Sequence, residues 1–453
     1  MADDNLRRRL GLFPATSIVI ANMIGAGVFT ISGLLMSGLG NPLLMIALWG
    51  AGGIIALCGA ISYGELGAAM PGAGGEYLFL SRLYHPVFGF LSGWVSFIVG
   101  FSAPIAASAM GFSEYFTRAF PAIPEWYDNQ SIINSIPLQT LLPVLVIVLF
   151  TIIHYRGLKT GARVQNFLTI MKVMLMVILI SAGFLSGKGN INNIFSGRLM
   201  TSGTEAWKTI GLSLMWIMFA YSGWNASTYI GSEIKNPSRN LPASLLLGTL
   251  IVIILYIGIN MFYIYGAEPG SMNDVISVGG LAAGNLFGKK AGMLFSLLIS
   301  FALFSSLSAF LIIGPRVYYS MARDGLFFRS LSKVHTKYGA PSNSVLIQGI
   351  LACLMVISGT FEQVLTYMGF SLGIFPILTV AGVMKLRKTR PEAVRFKGYP
   401  WAQILYISTG ILILGLSYMQ RPVESSIALI TVLAGIPAYY LFKKYGKLQD
   451  KPG

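Results

Sequence analysis

The sequence has few charged residues and very few of the residues that build metal sites and disulfides. Only 11% of its 453 residues are charged, and it contains two cysteines and three histidines. Because 55% of the residues are hydrophobic, too few polar side chains remain to cover the surface of a soluble protein of this length. The composition therefore excludes an ordinary soluble protein and predicts an integral membrane protein.

The residues and motifs of several enzyme classes are missing or scattered. Cys58 and Cys353 both lie in apolar segments, where a disulfide to an external partner is not expected. His85, His154 and His335 are far apart in the chain, so no metal site is predicted. The sequence has no Walker loop and no cysteine pair, and its one Gly-x-Ser-x-Gly match, Gly369–Gly373, lies inside an apolar segment and not at the strand-to-helix turn that a hydrolase nucleophile needs. This disfavours an ATP-driven pump or a membrane hydrolase, and neither a cofactor nor an enzymatic activity is expected.

Long apolar segments are abundant, and twelve of them are of the length, about 20 residues, that crosses a bilayer as a helix. They lie at about residues 12–38, 42–68, 87–118, 138–156, 165–186, 206–231, 242–266, 289–321, 343–359, 363–385, 401–419 and 425–443. No soluble domain fits between them. The sequence thus predicts an all-α fold in which residues 1–453 form one transmembrane domain.

The net charge of +16 is explained by where the basic residues lie. Loops on the side of the N-terminus carry 24 lysine and arginine residues, whereas loops on the opposite side carry seven. Because cytoplasmic loops retain Lys and Arg, both termini are predicted in the cytoplasm and the protein in the cell membrane. The basic residues follow membrane topology, so no nucleic-acid partner is expected.

Two of the apolar segments are interrupted near their middle by small or polar residues. The first contains Gly25, Ala26 and Gly27, and the sixth contains Phe219–Asn225. Consecutive small residues point in different directions around a helix, which argues against the alternative of a simple packing face. Exposed backbone at membrane depth persists only where protein, water or a solute satisfies it. Each interruption therefore predicts a broken helix and a binding site.

The two interruptions are five segments apart, an arrangement typical of transporters built from inverted repeats. We predict a 5+5 inverted repeat with broken helices 1 and 6, followed by two appended helices. Repeat one would cover about residues 12–186, repeat two about 206–385, and the appended helices about 401–443.

The two breaks offer opposite chemistry. A helix that restarts at Val28 would present the amides of Gly25–Gly27 at the positive end of a helix dipole, which binds anions. A break in the sixth segment would leave carbonyl oxygens near Phe219, Ala220 and Ser222, which accept hydrogen bonds from an ammonium group. A carboxylate beside an ammonium is the common part of every α-amino acid, so the pair predicts an amino acid site.

The positions of the sixteen acidic residues bear on the substrate's side chain. None is central to a predicted span. The acidic residues nearest to span ends are Glu65, Glu114, Glu233 and Glu362. The missing carboxylate favours a neutral substrate over a cationic one, although aromatic cages also hold cations. Ser102, Phe301 and Ser305 are candidates to line the side-chain pocket.

Lys172 is the one basic residue well inside a predicted span, about 10 Å from the helix end at 1.5 Å per residue. An intramembrane charge is a functional hypothesis by default. The ammonium would hold the carbonyls of the first broken helix in place of a sodium ion, or would carry a coupled proton. The alternative is a lysine that extends to the membrane surface.

Four motifs occur in order along the chain. They are Met23–Phe29; Pro71–Tyr77; Phe219–Asn225 followed by Glu233–Pro237; and Arg316–Gly325. In this order, the sequence resembles the amino acid-polyamine-organocation superfamily of secondary transporters, and within it the L-type and related amino acid exchangers. The resemblance implies the inverted-repeat fold over nearly the whole chain.

The resemblance also implies the roles of the site residues. Backbone groups of Ile24–Gly27 would bind the substrate carboxylate, and carbonyls of Phe219, Ala220 and Ser222 would bind its amine. The ring of Phe219 would gate the substrate, and Asn225 would line the pocket.

Lys172 matches the lysine that replaces one sodium site in this superfamily, which implies sodium-independent transport. Two residues depart from the family pattern. Ala26 stands where many members have Ser, and Phe328 stands where a proline often follows the Arg-Asp-Gly motif. The loss of the Ser hydroxyl puts affinity in question more than mechanism.

The expected protein is a secondary active amino acid transporter, a permease or exchanger, that moves neutral amino acids by alternating access. Its expected partners are the substrate and the lipid bilayer. The loop between spans 3 and 4 lacks the cysteine by which animal relatives join a heavy subunit, so none is expected. A cationic amino acid or polyamine antiporter is the alternative, and an ion channel or a receptor that binds without transport are rivals from other classes.

Overall fold

A computed structural model describes residues 8, 10–72, 74–128, 136–155, 161–197, 203–333, 341–390 and 395–449. His335, residue 73 of the second motif and part of the basic loop residues lie outside these ranges. Within them the fold is all-α, as predicted, apart from an isolated β-bridge between Leu10 and Ile234.

The described residues form twelve membrane spans close to the predicted positions. Ten are long and apolar enough to cross a bilayer by themselves, and spans 6 and 9 are shorter. In chain order, spans 1 to 12 are Leu12–Met23 with Ala26–Leu39, Pro42–Ala69, Pro86–Ala119, Leu138–Tyr155, Gly161–Leu185, Thr204–Ala220 with Ala226–Tyr229, Pro237–Gly266, Lys289–Arg323, Ser342–Ser358, Phe361–Thr389, Trp401–Gln420 and Pro422–Gln449. Shorter helices between them are Glu76–Leu83, Ala122–Asp128, Ile191–Phe195, Gly231–Glu233, Pro269–Met272, Val278–Phe287 and Arg329–Ser332.

Span ends follow local capping chemistry. Span 2 begins at Pro42, and the Asn41 side chain accepts a hydrogen bond from the Leu44 amide. Span 10 begins with a capping box between Thr360 and Gln363. These side chains satisfy backbone amides that have no partner in the first helical turn.

The spans differ in how far they are buried within the protein. Spans 1, 3 and 8 are mostly buried, whereas spans 11 and 12 present most of their side chains outward. Outward leucine and isoleucine side chains suit contact with lipid. Spans 3 and 1 are the most buried and therefore lie at the centre of the protein, and span 1 contains the first predicted break.

Span 3 is irregular where it passes the centre of the protein. Ser96–Gly100 form a π-helix, in which the Phe101 amide donates to the Ser96 carbonyl over 3.2 Å. Pro104 follows in the next turn and has no amide to donate to the Gly100 carbonyl. Single π-turns of this kind occur frequently at functional sites.

Both predicted helix breaks are present. Span 1 leaves the helix at Ile24 and Gly25 and resumes at Ala26. The prediction that the helix restarts at Val28 is wrong, because Gly25 adopts an extended conformation and caps the new helix directly. Span 6 ends its helix at Ala220, turns through residues 221–225 and continues as a 3-10 helix.

Candidate functional site

The two breaks pack directly against each other. A Cβ atom on Gly27 would lie 2.6 Å from the Cα atom of Ala220. Gly223 has φ of +97°, and a Cβ there would lie 2.8 Å from the carbonyl carbon of Asn22. Glycine allows both approaches because it has no side chain and tolerates positive φ. The packing brings the non-helical parts of spans 1 and 6 together.

A small cavity of about 10 Å³ lies between the breaks, with room for roughly one water molecule. Gly25, Ala26 and Gly27 line it from span 1, and Ala220 and Ser222 from span 6. No side chain caps the helix that begins at Ala26. The amides of its first turn therefore have no helical acceptor, and the helix dipole adds positive potential. This wall of the cavity suits an anion.

The Tyr256 hydroxyl on span 7 lies at the junction of the two breaks. Its oxygen is 2.5 Å from the Met23 carbonyl oxygen and 2.9 Å from that of Ala220. A hydroxyl has one hydrogen to donate, so the two carbonyls share a single donor. The carbonyl side of the site thus retains capacity for a further donor.

Phe219 lies between the small cavity and a larger one of about 130 Å³, since it lines both. Phe310 of span 8 also lines both cavities. The larger cavity is lined by Asn225 and Tyr229, which follow the break in span 6. It therefore lies towards the side of the membrane on which the N-terminus lies.

Glu76 begins a short helix outside the spans and lines the larger cavity, although it is only 8% exposed. Its carboxylate accepts hydrogen bonds from the Tyr63 hydroxyl at 2.7 Å and the Asn225 amide nitrogen at 2.9 Å. The Ser92 hydroxyl donates a third at 3.4 Å. Burial raises the pKa of Glu76 to about 7, although these three bonds act to lower it.

The sequence places Glu76 in a loop and does not reveal that a carboxylate lines a cavity. The motif Pro71–Tyr77 carries the signal in hindsight, because Gly74 and Gly75 both have positive φ and turn the chain back into the protein. Since three protein groups already donate to the Glu76 carboxylate, it is not an unoccupied acceptor for a cationic substrate.

Lys172 extends from span 5 to the break in span 1. Its side chain is 1% exposed, and its ammonium donates to the Ile24 carbonyl oxygen at 2.6 Å and to the Ser306 hydroxyl at 2.8 Å. The Ser306 hydroxyl also lies 3.1 Å from the Ile24 carbonyl oxygen. The side chain thus points into the protein and does not extend to the membrane surface. It holds a carbonyl that the helix break has released.

The predicted site residues fall into three places. The small cavity is lined by Gly25, Ala26, Gly27, Phe219, Ala220 and Ser222. Ile24 lies beside this cavity, with its carbonyl bonded to Lys172, and Asn225 lines the larger cavity. Their roles in binding stay predictions. Two residues near the site, Ser108 and Tyr256, have no sequence signal of their own, and Glu76 has one only as part of the motif Pro71–Tyr77.

The candidates for the side-chain pocket lie elsewhere. Ser102, Phe301 and Ser305 line neither of the two cavities. Phe301 is 51% exposed and faces outward. Helical periodicity alone does not tell which face of a long, apolar span is turned inward, because lipid-facing and buried positions are equally apolar.

Known proteins resemble this chain over almost its full length. Residues 10–437 match the family described as "Amino acid permease". The serine/threonine exchanger SteT of Bacillus subtilis is 29% identical, with 98% of each chain covered. The human cystine/glutamate transporter is 27% identical over 96% of this chain and 85% of its own. The mouse large neutral amino acids transporter small subunit 2 is 26% identical over 96% of this chain and 81% of its own.

Proposed function

Because the chain belongs to the amino acid permease family, as its motifs predict, we propose that it is a secondary active transporter of neutral α-amino acids that works by alternating access. The observation that carries the proposal is the small cavity, where uncapped amides of span 1 face the broken end of span 6. Donors and acceptors on two opposed backbones fit a zwitterion.

The substrate backbone would bridge the two breaks. The amides of Ala26 and Gly27 would bind the carboxylate, while carbonyls of Phe219, Ala220 and Ser222 would bind the ammonium. The cavity between them is smaller than any amino acid, so substrate entry requires the breaks to separate. The substrate's side chain would then extend past Phe219 towards the larger cavity.

Lys172 would take the place of a bound sodium ion. Its ammonium already donates a hydrogen bond to the Ile24 carbonyl, which would otherwise be free to coordinate a cation. Transport is accordingly proposed to be independent of sodium. The same contact holds span 1 to span 5, so a change in the lysine's hydrogen bonds would shift the break in span 1 that forms the substrate site.

The larger cavity would be part of the route to one side of the membrane. With both termini in the cytoplasm, as the distribution of Lys and Arg favours, this side is the cytoplasm. On the other side, the close approach of Gly27 to Ala220 would keep the route closed. Alternating access would separate these residues and close the larger cavity around Phe219.

A neutral substrate is favoured by the surroundings of Glu76. The cavity contains this one buried carboxylate among its described lining residues, and three protein donors already satisfy it. A lysine or polyamine head group would have to displace those donors.

The protein is proposed to act in the cell membrane without a second subunit. One relative is named as a small subunit, but the cysteines of this chain, Cys58 and Cys353, both lie inside spans. A disulfide to an external chain is disfavoured there.

The test is counterflow into proteoliposomes with radiolabelled alanine, leucine, arginine and putrescine, in sodium or choline buffer. Saturable, stereoselective uptake of alanine or leucine in both buffers is expected. Uptake of arginine and putrescine alone would establish the cationic alternative. Ohmic current would establish a channel. Binding of an amino acid without its uptake would establish a receptor.

A further inference from the structure

One hydroxyl group in the small cavity is not used by the proposed function. Ser108 on span 3 lines this cavity and is 1% exposed. Within the described part of the chain, its oxygen has no hydrogen-bond partner. Buried hydroxyl groups are nearly always hydrogen-bonded. The Ser108 hydroxyl is therefore free for a molecule that enters the cavity.

Ser108 reaches the cavity from a different span than the amides do. Ala26 and Gly27 supply only backbone donors there, because neither has a polar side chain. A carboxylate has about four lone-pair sites, which is more than these amides fill. A hydroxyl donor to an ionised group also forms a stronger bond than one to a neutral group.

Two other polar side chains near the cavity are already engaged. The Asn22 side chain donates to the Ile18 carbonyl, and the Tyr256 hydroxyl is shared between two carbonyls. Apolar side chains of Pro104 and Phe310 complete the wall near Ser108. A hydroxyl among apolar groups and beside uncapped amides points to an anionic group as its partner.

We propose that Ser108 donates its hydroxyl hydrogen to the α-carboxylate of the bound amino acid. The proposal rests on the proposed function, because it places a substrate carboxylate at Ala26 and Gly27. The carboxylate then joins span 1 to span 3 through one ion. Since Ser108 lies within the regular helix Ser102–Ala119 of span 3, the bound substrate would hold the break in span 1 against that helix.

Ser108→Ala tests the proposal, and the chain offers a matched control. Ser113 lies on the same span, is 2% exposed and also has a hydroxyl without a partner, yet lines neither cavity. Ser113→Ala thus deletes the same group at similar burial outside the site. Ser108→Cys approximately keeps the side-chain volume but has a weaker hydrogen-bond donor. It replaces Ser108→Ala as the test variant if the alanine variant does not fold.

The half-saturating concentration for uptake should rise about tenfold in Ser108→Ala. The rise should be equal for every transported amino acid, because all share the carboxylate. Ser113→Ala should transport as the wild type does. Without substrate, the melting temperature of Ser108→Ala should be unchanged or higher, because an unpaired buried hydroxyl is gone.

Two results would overturn the proposal. One is wild-type affinity in Ser108→Ala, and the other is a loss confined to serine and threonine as substrates, which would place Ser108 against the side chain. Either result leaves the proposed function intact if the wild type transports amino acids in the same assay. A wild type that transports none overturns both.

Discussion

The ammonium group of Lys172 on span 5 lies 2.6 Å from the carbonyl oxygen of Ile24, the residue at which span 1 leaves its helix. A helix break releases carbonyls that have no helical donor, and an unpaired carbonyl at membrane depth is costly. The lysine satisfies this one. The contact connects a charged group on a peripheral span with the backbone that is proposed to bind substrate.

Lys172→Ala should fold but transport at least about tenfold more slowly than the wild type, because the Ile24 carbonyl loses a charged donor. Uptake and melting temperature would be measured on the same preparation. Lys208→Ala is the control, since Lys208 pairs with the exposed Glu205 away from the site. Normal uptake by Lys172→Ala would show that the lysine serves only to pack span 5.

Gly27→Ala should lower the melting temperature and abolish uptake, whereas Gly25→Ala should leave the melting temperature unchanged. A Cβ at Gly27 would lie 2.6 Å from Ala220, but a Cβ at Gly25 would meet only the Met23 carbonyl oxygen at 3.8 Å. The steric overlap at Gly27 forces the two breaks apart. Equal effects of the two substitutions would contradict the close packing of the breaks.

Tyr256→Phe should destabilise the empty protein by about 1–3 kcal/mol, because the carbonyls of Met23 and Ala220 lose the donor that they share. A substrate ammonium would replace this donor at Ala220. The rise in melting temperature on adding substrate should therefore be larger in the variant than in the wild type. An equal or smaller rise would mean that the amine binds elsewhere.

The ion pair between Glu65 and Arg387 should matter for stability and not for affinity. Two hydrogen bonds of 2.6 and 2.7 Å join them, and the Glu65 side chain is 1% exposed. Glu65→Gln leaves the partly buried Arg387 guanidinium without its charge partner, while its bond to the Phe396 carbonyl remains, so the cost is about 1–3 kcal/mol. The melting temperature should fall while the half-saturating concentration stays constant.

The control for Glu65→Gln is Glu205→Gln, which breaks an exposed pair with Lys208. An exposed pair contributes little to stability, so its melting temperature should hardly change. A fall of the same size in both variants would contradict the difference in burial on which the prediction depends.

Glu76 should make stability fall as pH rises. Its pKa of about 7 lies above the ordinary value of 4.5, so between these values the folded protein keeps a proton that the unfolded chain releases. Stability is then greatest at the acidic end and is lost as pH rises towards 7. Melting temperatures of the wild type minus those of Glu76→Gln should decrease over that window, and a difference that increases would contradict the raised pKa.

Helix breaks could be predicted from sequence because three consecutive small residues, Gly25 to Gly27, stand inside an apolar segment of membrane length. The size of the first break could not be predicted from sequence, because it depends on how closely Gly27 packs against Ala220. That contact joins residues almost two hundred positions apart in the chain and has no local signal.

The polar groups around the site are harder to predict from the sequence than the helix breaks. Glu76 lies outside the spans, and its three donors come from spans 2, 3 and 6. Ser108 is one small residue among many on span 3, and it is distinguished only by lining the small cavity with a hydroxyl that has no partner among the described residues. Lys172 could be found because a charge within an apolar span is rare and costly.

The most direct test of the account is an experimental structure of the protein with a transported amino acid bound. We expect density between the breaks, with the carboxylate within hydrogen-bond distance of the Ala26 and Gly27 amides and the ammonium near the Ala220 carbonyl. Density for the amino acid at any other place, with the two breaks still closed on each other, would contradict it.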